Sequence, residues 1–98
     1  MTYSKALLSY RKKIDALDRK ILETLSKRLK TVQALGKVKA KKNIPVRDLQ
    51  REAELEKLRS KCAKEFKLDP QLVEKIFRFI GVASRKIQRR KKRSSMIQ

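Results

Sequence analysis

The chain has no histidine, no tryptophan and a single cysteine, Cys62, in 98 residues. Ser-His and Cys-His catalysis are therefore excluded, as are an internal disulfide framework and a zinc site built from cysteines. Glycine and proline occur twice each. That leaves too few turn formers for the many short connections of an all-β fold. Acids are scarce as well: 10 Asp and Glu stand against 29 Lys and Arg, a formal charge of +19. The excess excludes an acidic disordered tail and calls for an anionic partner. No apolar run approaches the roughly 18 residues of a membrane span. Met1-Thr2-Tyr3-Ser4-Lys5 leads into no long apolar stretch, so no secretory signal is expected and the expected compartment is the cytoplasm. What the chain does have is 40% apolar residues. That suffices for one packed domain, or for one protomer of a larger assembly.

The charge is unevenly spread. Residues 85–98 carry seven basic groups and no acid, which leaves 22 basic and 10 acidic residues over 1–84, still a net +12. The run Arg89-Arg90-Lys91-Lys92-Arg93 repels itself. It predicts a division into a domain over 1–88 and a basic, disordered tail over 89–98. Such a tail aids solubility, or contacts a nucleic acid or another anionic surface.

Apolar residues recur at three-four spacing from residue 5 to residue 42. One series is Leu7, Ile14, Ile21 and Leu35; another is Tyr10, Leu17, Leu25, Val32 and Val38. Together they predict a single helix. At 1.5 Å per residue it is about 57 Å long. A compact domain of this size has a radius of gyration of only about 13 Å. Such a helix needs a second chain along its apolar stripe, so the expectation is a homodimer with this helix at the interface. Pro45 stops the helix near Lys42-Asn43. Asp48 then caps a second helix over roughly 49–66, with the stripe Leu55, Leu58, Cys62 and Phe66. Asp69-Pro70 opens a third, with Val73, Ile76, Phe77, Ile80, Ala83 and Ile87 as its buried face. The fold class is all-α: three helices, the first very long.

Polar residues interrupt these stripes. Arg28 takes a hydrophobe's place between Ile21 and Leu35, where an unpaired cation costs several kcal/mol in order of magnitude. It calls for a bound anion or an internal carboxylate, or else snorkels to water. Lys39 lies three turns further on and projects on nearly the same face. Asp48, Arg51 and Glu52 share a face at the start of the second helix. Ser84 and Gln88 are one turn apart beside the apolar face of the third. Arg11 is about 42 Å from Lys39 along one helix, too far for a site on its own chain. If two such helices cross antiparallel near residue 23, Arg11 of one chain comes level with residue 35 of the other, between Arg28 and Lys39.

The combination of Leu7-Leu8, Arg11, Ile14-Asp15-Ala16-Leu17-Asp18, Arg28, Gly36-Lys37-Val38-Lys39, Pro45-Val46-Arg47-Asp48, Arg51-Glu52, Ser84 and Gln88 resembles the all-helical chorismate mutases over about residues 6–88. The resemblance implies an intertwined homodimer with two active sites, each lined by both chains. It implies an isomerase of aromatic amino-acid biosynthesis that converts chorismate to prephenate with no metal and no cofactor. By that resemblance Arg28, and Arg11 from the other chain, clamp the substrate carboxylates. Lys39 and Gln88 donate to the ether oxygen. Glu52, helped by Asp48, accepts from the ring hydroxyl. Arg51 supports the pocket and Ser84 contacts a carboxylate. Gly81 and Arg85 depart from the family pattern, standing where apolar pocket residues are usual.

These residue types suit that chemistry. A [3,3] shift within a dianion needs no nucleophile and no proton transfer, so the lack of histidine is no objection. It needs the ligand held folded and stabilisation of charge on the ether oxygen. Two other readings remain open. One is an isochorismate pyruvate-lyase of the same fold, against which the carboxylate of Glu52 argues. The other is a basic helical nucleic-acid binder, against which the scarcity of aromatics for base stacking argues.

Overall fold

The computed structural model describes the backbone of residues 4–97 and the side chains of residues 4–93. Expectations for Met1–Tyr3 and Gln98 lie outside the described residues. Three helices follow one another: α1 Lys5–Lys41, α2 Leu49–Glu65 and α3 Pro70–Ile97. Among the described residues there is no strand. The all-α fold with a very long first helix is therefore as expected. The chain divides into two compact units, Met1–Thr31 and Val32–Gln98.

The first unit is the N-terminal stretch of α1. Ser4 caps it: Oγ accepts from the Leu7 N–H at 3.1 Å and its carbonyl from the Leu8 N–H at 3.2 Å, satisfying donors that a helix start leaves open. No glycine or proline interrupts residues 5–31. None of residues 4–31 is buried within the chain. The apolar stripe stands in the open, with Tyr10 64%, Ile14 56%, Leu17 57% and Ile21 63% exposed.

The second unit holds the last turns of α1, all of α2 and all of α3. Its elements end and begin on local chemistry. Asn43 has φ 55°, and the Ile44 N–H reaches back to the Lys39 carbonyl at 2.8 Å while Asn43 N–H reaches Ala40. This pairing closes α1 with a residue in the left-handed region. Asp48 then caps α2, its side chain accepting from the Arg51 N–H at 3.1 Å. The end of α2 repeats the α1 device, with Lys67 at φ 55° and the Leu68 N–H bonded to the Ala63 carbonyl at 2.8 Å. Asp69 caps α3 by accepting from the Gln71 N–H at 3.0 Å, and Pro70 fills the first helical position, where its missing N–H costs nothing.

Helices α2 and α3 pack on one another. Ala63 is buried on α2, and the Arg59 guanidinium stacks 4.2 Å from the Phe77 ring. Among the described residues Val32 is the other buried apolar side chain. Parts of the expected faces differ. Leu58, Phe66 and Ile76 are 52%, 67% and 46% exposed, and Ala83 is exposed too. On α3 the buried residues are instead Ser84 and Gln88. The basic run Arg89–Arg93 lies within α3, which extends to Ile97. Lysine and arginine are good helix formers. Among the described residues no helix is long and apolar enough to cross a membrane.

Candidate active site

Within the second unit, the last turn of α1 meets α3 at a polar pair. Lys39 Nζ donates to Gln88 Oε1 at 2.8 Å and to the Val46 carbonyl at 2.8 Å. Gln88 is 6% exposed and Lys39 half-buried. The approach depends on Gly36, one turn before Ala40 on α1: a Cβ there would lie 3.0 Å from Gln88 Cα and 3.2 Å from Lys91 Cβ. The α1–α2 loop supplies the second anchor, because the turn at Asn43 and Pro45 brings the Val46 carbonyl back to the helix end. Two acceptors thus fix the ammonium, and one of its three hydrogens remains for a ligand. With Oε1 occupied, the Nε2 hydrogens are what the Gln88 amide offers.

A second polar cluster surrounds Glu52 in the first turn of α2. Arg47 Nε lies 3.3 Å from Oε1, Arg47 Nη2 lies 3.5 Å from Oε2, and Arg85 Nη1 from α3 lies 3.8 Å from Oε1. Asp48 is engaged as the helix cap. Arg51 does not join Glu52 but pairs with Glu54 at 3.3 Å. Ser84 is buried, its Oγ donating to the Ile80 carbonyl at 2.7 Å. Arg11 and Arg28 belong to the first unit, Arg11 exposed and Arg28 half-buried. The sequence reading brought Lys39 and Gln88 into one site, and they are in contact. It gave no role to Arg47 or to the Val46 carbonyl, and it marked Arg85 only as a departure. A basic residue five positions before Glu52 was the available signal for Arg47.

This helical chain, with a lysine and a buried glutamine joined across two helices, has a family. Residues 10–89 match the family described as chorismate mutase type II, and the chain belongs to that family. It is 36% identical over 80 residues to the bifunctional chorismate mutase/prephenate dehydratase of Escherichia coli (strain K12), covering 82% of this chain and 21% of that protein. The chain thus spans about a fifth of the length of the bifunctional relatives it matches. It is 30% identical over 83 residues to the chorismate mutase of Methanocaldococcus jannaschii, covering 85% of this chain and 84% of that one. A conserved hypothetical protein from Pyrococcus furiosus has a similar structure, with TM-score 0.66 and 35% identity. That match covers 88% of this chain and 99% of the other.

Proposed function

We propose that the protein is a chorismate mutase, an isomerase acting in the cytoplasm that rearranges chorismate to prephenate. The observation that carries this reading is the Lys39–Gln88 contact at 2.8 Å. As the C–O bond of chorismate breaks ahead of C–C bond formation, negative charge grows on the ether oxygen. Lys39 and Gln88 are donors already fixed before the reaction begins, Lys39 by its second bond to Val46. Donors held in this way stabilise the transition state more than the ground state, because little reorganisation is left to do. Glu52 accepts from the ring hydroxyl, with Asp48 and Arg51 holding the start of α2 around it.

On this reading Arg28, and Arg11 of a second copy, clamp the substrate carboxylates, and Ser84 contacts a carboxylate. Guanidinium forks match carboxylates geometrically. The family, rather than any distance within this chain, supports those assignments. A homodimer is supported by the exposed stripe Tyr10, Ile14, Leu17 and Ile21, since apolar rows of this kind are ordinarily covered by another surface.

The test is to follow loss of chorismate absorbance with the purified chain and to identify the product. Prephenate is expected. Salicylate with pyruvate would mean a lyase instead. No turnover, together with salt-steep binding of DNA or RNA, would mean a nucleic-acid binder.

A further inference from the structure

Gly81 lies inside α3, where glycine is less favourable than any residue except proline. Its φ is not positive, so the backbone does not require it. What stands over it is the end of the Arg85 side chain. A Cβ at residue 81 would lie 3.2 Å from Arg85 Nη1 and 4.0 Å from Arg85 Cζ. Helical side chains lean toward the helix N-terminus, so Arg85 reaches back over the residue one turn earlier. With only hydrogen there, its guanidinium lies against the helix and extends to Glu52 on α2. Arg47 approaches the same carboxylate from the α1–α2 loop. Arg85 is the less solvated of the two cations, its side chain 29% exposed against 62% for Arg47, and so the less screened by water.

We propose that Gly81 and Arg85 act together as a positioning device for Glu52, holding Oε1 between two guanidinium groups so that Oε2 is the atom presented to the ligand. This deepens the reading above, on which Glu52 accepts from the substrate's ring hydroxyl. Among the described residues Oε2 meets Arg47 Nη2 alone, at 3.5 Å, whereas Oε1 faces both cations. A carboxylate ordered in advance loses less freedom on binding. The two departures from the family pattern then act as one feature, in which the small residue 81 leaves the room that the end of Arg85 occupies.

Two readouts test this, one of them independent of turnover. The chain has six glutamates, so the carboxyl resonances of 13C-glutamate-labelled protein form a small set, with that of Glu52 assigned by its loss in Glu52→Gln. Arg85→Ala and Gly81→Leu should each move the Glu52 resonance. Gly81→Leu should add no further movement in the Arg85→Ala background. Gly81→Ala, a milder helix-favouring change, should move it in the same direction by less. In chorismate turnover, Arg85→Ala and Gly81→Leu should raise KM about five- to tenfold with kcat changed less than about twofold, the signature of lost ground-state positioning. Arg85→Lys should recover part of that loss. A Glu52 resonance unmoved by Arg85→Ala overturns the proposal, as does an equal effect of Gly81→Leu with and without Arg85. If the wild type does not turn over chorismate, the proposed function falls, and the resonances alone decide the positioning role.

Discussion

Gly36 of α1 lies directly against Gln88 of α3, so that a Cβ at residue 36 would stand 3.0 Å from Gln88 Cα. The atom it would meet is backbone and cannot swing aside. Alanine at residue 36 gains about 1 kcal/mol of helix propensity, but overpacking a close contact costs about 1–3 kcal/mol. Gly36→Ala is therefore expected to lower stability by about 1 kcal/mol in urea denaturation at fixed protein concentration. By separating Lys39 from Gln88 it should also lower turnover. A variant that is more stable and fully active would mean that the two helices adjust freely.

Lys39→Ala and Gln88→Ala should each reduce kcat about 100- to 1,000-fold, the usual cost of losing one oxyanion donor. The two side chains share a hydrogen bond, so the double variant should be less damaged than the product of the single losses. Helical circular dichroism should be retained in all three. Near-wild-type kcat in Lys39→Ala would remove the ammonium from the reaction.

Much of this arrangement was legible in the sequence, and what was missed has physical reasons. The end of α1 and the starts of α2 and α3 follow from Pro45, Asp48 and Asp69-Pro70, because caps and prolines act through the nearest few backbone groups. The pairing of Lys39 with Gln88 was legible only through resemblance, since 49 residues separate them. The role of Gly36 as a point of close approach was not legible, because a helical glycine looks the same in sequence whether it faces water or a neighbouring helix. Nor was the choice of partners at the start of α2. Arg51 and Glu52 are adjacent, yet Arg51 turns to Glu54 and Glu52 to Arg47 and Arg85. Several acids and bases lie within reach of one another there, and packing decides among nearly equal pairs.

Arg11→Ala and Lys39→Ala chains, each inactive alone, should recover activity when mixed and allowed to exchange. A heterodimer holds one intact site and one doubly damaged site if Arg11 serves the second copy. Random pairing makes half of the dimers mixed, with one working site in each, so recovery should approach about a quarter of the wild-type rate. Exchange demonstrated by differently tagged chains, with no recovery of turnover, would assign Arg11 to its own chain or to no site.

Lys67 has φ 55° at the end of α2, where its N–H bonds the Lys64 carbonyl at 3.2 Å and the next N–H bonds Ala63. The left-handed conformation costs an L-residue about 1–2 kcal/mol, and glycine is free of that cost. Part of the gain is offset by glycine's greater freedom in the unfolded chain. Lys67→Gly should therefore raise stability by about 0.5–1 kcal/mol, while Lys67→Ala, which keeps a Cβ, should not. Asn43→Gly should gain less, because asparagine tolerates this region better than lysine. Lys67 is exposed and plays no part in the proposed chemistry, so turnover by Lys67→Gly should match that of the wild type. Equal stabilisation by alanine and glycine would trace the effect to removal of a positive charge from a chain that already carries +19, rather than to the backbone.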